Sequence, residues 1–340
     1  MPTFCRHNRL IQNCPICSKE QDVEMRPVVS PGGQTVRQAR PAGATGARPS
    51  ARPGATRSGS SRGGGRSSSG LTVRRLSRAA EDGFRSALVP GLRSGADAQR
   101  LAEELAFAAT RLERLETDPP GLYAEVADAS LAIEERSWLA FLIAYLGPLD
   151  DDAPFAGIEQ ARTAWSSGES PALDDVPLGP RTAHDRERGL RTIDAYRQWA
   201  ERAGSQEAAF SGDAAWAPER RFARVFERLA LPGLHRGARF DLLATLGQLG
   251  VYELSAGALG LGGNDAVTLA AKRVLGIGDP MLLERRAADL ASACELPLEA
   301  LDLGLFNWEQ GSRSGLGVDP ATEPDPDLLS SAMAALGLEV

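Results

Sequence analysis

LALPGLHRGARFDLLATLGQLG occupies Leu229–Gly250; a Gly-rich passage follows over Val251–Gly263, then NDAVTLAAKRVLGIGD over Asn264–Asp279. Leu231-Pro232-Gly233 separates two amphipathic segments, Phe222–Leu229 and Arg236–Leu246. Proline presets one backbone angle and glycine removes the steric cost of the next, so this spacing predicts a helix, a tight turn and a second helix. The second helix opens with amides that have no partner within the helix. Such an end is a ready site for a phosphate.

An Asp at the head of a further helix with a basic pair behind it completes the pattern: Asp265-Ala266-Val267, then Lys272-Arg273-Val274-Leu275. Together, L-P-G, a small or basic helix start and this Asp resemble the helix-hairpin-helix DNA glycosylases of the endonuclease III type, whose third helix reads D-[TS]-x-V-x-R-[VL]. The resemblance spans about Leu71 to Arg313, but Leu231–Leu275 carries it. It implies a hairpin that grips the DNA backbone through Gly233, His235, Arg236 and Arg239, with Lys272 and Arg273 behind, and a catalytic carboxylate at Asp265. Arg220-Arg221-Phe222 and Phe306-Asn307-Trp308 also resemble an offshoot, the alpha-glutamyl/putrescinyl thymine pyrophosphorylases, which act on hypermodified thymine. Two positions depart from the family pattern. His235 stands where the hairpin has its second glycine, and Gly237 stands where bifunctional members carry the lyase lysine. The interval from hairpin to Asp is also longer than in the family. The resemblance therefore implies a monofunctional enzyme, without a lyase step through that lysine.

Excision of a base builds positive charge on the sugar, and a nearby carboxylate stabilises that charge or activates water. Asp265 suits this role. It equally suits a plain helix cap, which Asp performs well. Lys272 lies two helical turns from Asp265 on the same face and reads either as a phosphate contact or as a solvated helix residue. Arg236 and Arg239 can hold phosphate in two-point contacts, and His235 reads as a phosphate donor or a simple turn residue. Tyr145 and Trp308 are candidates to stack on an extruded base; the competing reading places both in the core. His184-Asp185 has no visible third partner and makes no catalytic pair.

Cys5, His7, Cys14 and Cys17 form the sharpest local motif, with Cys14-Pro15-Ile16-Cys17 as a knuckle. Three thiolates and an imidazole suit zinc, and a closed set of four protein ligands is structural. So short a module builds no core, so the metal must supply its folding energy. Cys294 reads as a small buried side chain.

Charge is unevenly spread. The chain carries −7 overall; residues 26–80 hold eleven Arg and no acid, residues 1–25 balance at zero, and Glu81–Val340 is left with −18. The Gly, Pro, Ser, Ala and Arg composition from Arg26 to about Gly70 predicts disorder. It reads as an electrostatic tether to nucleic acid, or as a plain linker. No apolar stretch follows Arg6, His7 and Arg9, so no signal peptide is expected, and the longest apolar run, Trp138–Leu146, is too short to span a bilayer.

Beyond the linker, helical spacing dominates, as at Leu101, Leu105, Ala108, Leu112 and Leu115. The expectation is an all-α chain: a zinc knuckle (1–25), a disordered linker (26–75), a helical glycosylase-like domain (76–318) and a tail with a short helix (319–340). Function is expected in DNA, as excision or processing of a modified or damaged base in repair or phage defence. The alternatives are base hypermodification of the pyrophosphorylase type and a non-catalytic DNA-binding protein. DNA is the expected partner, with no membrane, for a monomer that is cytoplasmic and nucleoid-associated.

Overall fold

A computed structural model describes residues 79–339. The chain divides into Met1–Gly70 and Leu71–Val340; the zinc knuckle (1–25) and the linker (26–75) lie outside the described residues. Those described form twelve helices and no strand. The all-α expectation is met at that level.

Why the body closes is clearest at its most apolar helix. Four helices open it: α1 (Gly95–Thr117), α2 (Leu122–Ala127), α3 (Ile133–Leu146) and α4 (Ala156–Ala161). Every residue of α3 from Ser137 to Leu146 is buried, as a helix apolar on all sides must be. Each large side chain enclosed there contributes about 1.5–3 kcal/mol relative to exposure. α5 (Arg191–Ala203) and α6 (Gln206–Ser211) follow, then α7 (Pro218–Arg228) and α8 (Arg236–Gln248) around the proline-glycine turn. α9 (Ala266–Leu275), α10 (Pro280–Ala293), α11 (Leu298–Gln310) and α12 (Pro326–Leu336) complete the order.

α8 packs on α3, whereas α1 packs on both α11 and α12, and α9 on α11. Gly304 permits the α1–α11 crossing: a Cβ there would lie 2.7 Å from Leu105 Cδ2 and 3.1 Å from the Glu104 carbonyl. The C-terminal helix belongs to this body, since Ala332 and Leu336 are fully buried. The preceding turn is fastened to α1 by the Leu316 carbonyl. That oxygen accepts from Arg111 Nε and Nη2, both at 3.3 Å, and from Tyr123 OH at 3.0 Å.

Residues 181–190 differ from what helical spacing predicts, and the Gly-rich passage, without a clear period, allows a short helix or a turn. The pattern calls for a helix from Arg181, yet it begins at Arg191, because residues 181–190 instead cross α3. There Ala183 N–H donates to the Tyr145 carbonyl at 2.8 Å, and the Arg181 side chain turns into the core. The Gly-rich passage after α8 holds no helix. Its backbone is pinned by carboxylates from later helices: Glu299 accepts from Ala256 N–H at 2.6 Å, and Glu284 from Leu259 and Leu261 N–H. No helix of the described residues is long and apolar enough to cross a membrane.

Candidate functional site

The turn between α7 and α8 is built from its glycine. Gly233 has φ +87°, and the Pro232 carbonyl beside it accepts from Thr192 Oγ1 at 2.9 Å. His235 then caps α8: its Nδ1 accepts from Ala238 N–H at 3.2 Å. That fixes the tautomer, so Nε2 carries the proton and donates to the Thr182 carbonyl at 3.0 Å. The amides of Arg236 and Gly237 find no acceptor among the described residues and remain the free donors of this helix end. Thr182, His184, Arg188, Gly233 and His235 line an open groove of about 530 Å³ in front of it.

Behind the turn lies a chain of alternating charges. Arg236, the first residue of α8, is 8% exposed. Its Nη2 donates to Asp302 Oδ2 on α11, and its Nη1 sits 3.8 Å from Asp265 Oδ1. Asp302 Oδ1 accepts from Arg181 Nη2 at 2.8 Å, and Arg181 also grips Asp241 of α8 through Nε at 2.8 Å and Nη2 at 2.7 Å. The Arg181 guanidinium lies 4.4 Å from the centre of the Phe306 ring. Three donors of this cluster, Arg181 Nη1 and Arg236 Nε and Nη1, are shut from solvent with no hydrogen-bond partner.

The charges control one another. Burial works against the Arg181 charge, but Asp241 and Asp302 overcome it and raise the guanidinium above its usual range. Burial raises the Asp302 carboxyl, opposed by Arg236 and Arg181. Because each Asp302 oxygen accepts from a guanidinium, the ionised form is the one that satisfies these donors.

Asp265 stands at the near end of this chain, as the N-cap of α9, with its side chain 29% exposed. It accepts from Thr268 N–H at 3.2 Å and from Thr268 Oγ1 at 2.6 Å. Burial would raise its carboxyl, but the Arg236 charge and the Thr268 hydrogen bonds outweigh that and hold it below the usual carboxylate range. Capping and a persistent negative charge therefore coexist in this residue.

The other expected site residues are distributed as follows. Lys272 reaches back along α9 and donates to the Gly263 carbonyl at 3.2 Å. Arg273 pairs with Glu309 on α11. Arg239 donates to the Phe226 carbonyl at 3.0 Å and lies over the Phe226 ring. Tyr145 is fully buried, stacked on Phe141, with its hydroxyl 2.9 Å from His184 Nδ1. Trp308 is buried against α1, where its Nε1 donates to the Asp97 carbonyl at 3.0 Å. Both rings belong to the hydrophobic core. Cys294 caps the end of α10 in full burial, which pushes its thiol up to about 11.

Sequence patterns alone do not single out Arg181, Asp241 or Asp302. A signal is nonetheless present around the two acids: Phe240-Asp241-Leu242 and Leu301-Asp302-Leu303 place a lone carboxylate inside an apolar helical run. Cys5, His7, Cys14 and Cys17 lie outside the described residues. Among the described residues no group of His, Cys, Asp and Glu is arranged to hold a metal ion. Comparison of the chain with protein-family models, curated proteins and solved structures finds no match.

Proposed function

We propose that the helical body is a DNA glycosylase-like protein that removes a modified or damaged base, with Asp265 as the carboxylate that meets the sugar cation. The observation carrying this reading is the state of Asp265. A partly exposed carboxylate stays ionised at the head of a helix because the first residue of the preceding hairpin helix holds a guanidinium 3.8 Å away. Breaking the C1′–N bond sends its electron pair to the departing base and leaves the cation on the sugar. A carboxylate within reach stabilises that cation and takes the proton of the attacking water. The free Arg236 and Gly237 amides suit a backbone phosphate at the hairpin, and Gly237 leaves no amine there to form a covalent adduct.

Incubation with DNA carrying assorted modified bases, read by mass spectrometry, tests the proposal. Wild-type protein should release a base, leave an intact abasic site, and give no adduct on borohydride treatment. Asp265→Asn should retain fold and DNA binding, because Asn caps nearly as well as Asp, while base release falls by orders of magnitude. Undiminished release by this variant would remove Asp265 from the chemistry. A base changed in mass but still attached would favour the pyrophosphorylase-type reading. Asp265 is not among the residues that line the open groove before the hairpin helix, which favours a second reading, DNA binding without catalysis. Binding with no change in any base would establish it.

The same proposal includes one structural zinc per chain, held by Cys5, His7, Cys14 and Cys17 on the strength of their spacing. Metal analysis of the purified full chain should find it, and a Cys14→Ser/Cys17→Ser chain should lack it. Equal zinc in the two chains would refute the assignment.

A further inference from the structure

We propose that Arg236 is the positioning residue of the Asp265 carboxylate, and that Asp302, buried behind it, is the anchor that keeps Arg236 in place. The inference deepens the glycosylase-like reading and rests on it for its catalytic meaning.

At the first position of a helix, an arginine without a partner stays in water. Its side chain has several rotatable bonds whose freedom it would lose on burial, and water solvates it well. A charged side chain only 7% exposed therefore needs a strong partner. Asp302 provides one. Its side chain is 1% exposed, and it is itself fixed from the far side by Arg181, which is fixed in turn by the two oxygens of Asp241. With Nη2 held by Asp302, Nη1 faces Asp265 at 3.8 Å.

The geometry of that last pair has a chemical meaning. A separation of 3.8 Å is an ion pair and too long for a hydrogen bond. Arg236 thus contributes charge to Asp265 without occupying an acceptor position. Each Asp265 oxygen takes one hydrogen bond from Thr268, whereas an ionised carboxylate has about four acceptor sites. Free capacity remains on the exposed side, where a sugar cation or a water would approach.

Few groups compete for control of this carboxylate. Arg236 reaches it from α8 and Thr268 from its own helix. Lys272 is held by the Gly263 carbonyl, and Asp302 of α11 lies beyond the guanidinium. Removing the Arg236 charge should therefore register directly at Asp265.

The test is NMR titration of the Asp265 side-chain carboxyl in the full chain, in wild type and in Arg236→Met, Arg236→Lys and Asp302→Asn. An opposite charge at this range shifts a carboxylate by about 1–3 pH units, so the midpoint should rise by that amount in Arg236→Met. It should rise by less in Asp302→Asn, where Arg236 keeps its charge and loses its anchor. If Arg236→Met fails to fold, Arg236→Lys carries the test: an ammonium is a point charge and cannot hold Asp302 and Asp265 together, so the midpoint should again rise. An unchanged midpoint in the folded Arg236 variants overturns the proposal, and one in Asp302→Asn removes the anchor. On any DNA from which wild type releases a base, the acid limb of the pH–rate profile should move up with the midpoint. A wild-type chain that releases no base refutes the catalytic reading, while the titration still decides whether Arg236 controls Asp265.

Discussion

At Gly233 a single hydrogen in place of a methyl group keeps the hairpin closed. A Cβ would lie 2.2 Å from Thr192 Oγ1, the atom that donates to the neighbouring Pro232 carbonyl. The backbone at φ +87° adds its own penalty, about 1–2 kcal/mol for a residue with a Cβ, and displacing Thr192 forfeits a hydrogen bond of about 1 kcal/mol. Gly233→Ala should therefore lower unfolding stability by roughly the sum of these two effects, measured by urea denaturation. Its cost should shrink in a Thr192→Ala background, where the clash and the bond are both gone. Equal stability of Gly233→Ala and wild type would show that the turn relaxes freely. Sequence chemistry marks this glycine, as it marks Asp265 and Arg236, because turn and cap residues act through their immediate neighbours. It does not mark Arg181, Asp241 or Asp302, whose roles depend on side chains up to 121 positions away.

Most helices are legible for a similar local reason. Asp279-Pro280 and Asp325-Pro326 open α10 and α12 with a capping side chain and a proline at the first turn. The apolar run Trp138–Leu146 is enclosed as α3. Where helical spacing misleads, tertiary interactions override periodicity. Residues 181–190 have helical composition, but Arg181 gains two carboxylates only by leaving the helical path. The Gly-rich passage has no helical period to read; its backbone is held by Glu284 and Glu299, acids borne on helices that follow it. Burial raises the Glu299 carboxyl, against the hydrogen bond from Ala256. Aromatic side chains are ambiguous in the sequence for a different reason: a ring meant for a base and a ring meant for the core share the same spacing. The surroundings of Tyr145 and Trp308 place both rings in the core.

Across the whole chain, charge is divided between its two parts. Glu81–Val340 carries −18, and residues 26–80 carry eleven Arg with no acid. An acidic body repels a polyanion beyond its local contacts, so the arginines should supply most of the sequence-independent attraction. Removing Arg26–Gly70 takes away eight of them. If the chain binds DNA as proposed, its affinity should fall and its salt dependence flatten, since the log–log slope shrinks by about 0.9 for every phosphate no longer neutralised. Identical slopes from fluorescence anisotropy titrations of the two chains would reduce that segment to a spacer. The alternating chain of Asp241, Arg181, Asp302, Arg236 and Asp265 has a consequence on this scale as well. Its members come from a loop and from the elements α8, α9 and α11, far apart along the polypeptide, and they are safe in the interior only in each other's company. A half-assembled body would trap a lone charge away from water, an error of about 3–5 kcal/mol for a missing partner. Partial assembly is therefore penalised more heavily than none, so these segments are driven to lock together as one event, like a clasp with no intermediate notch.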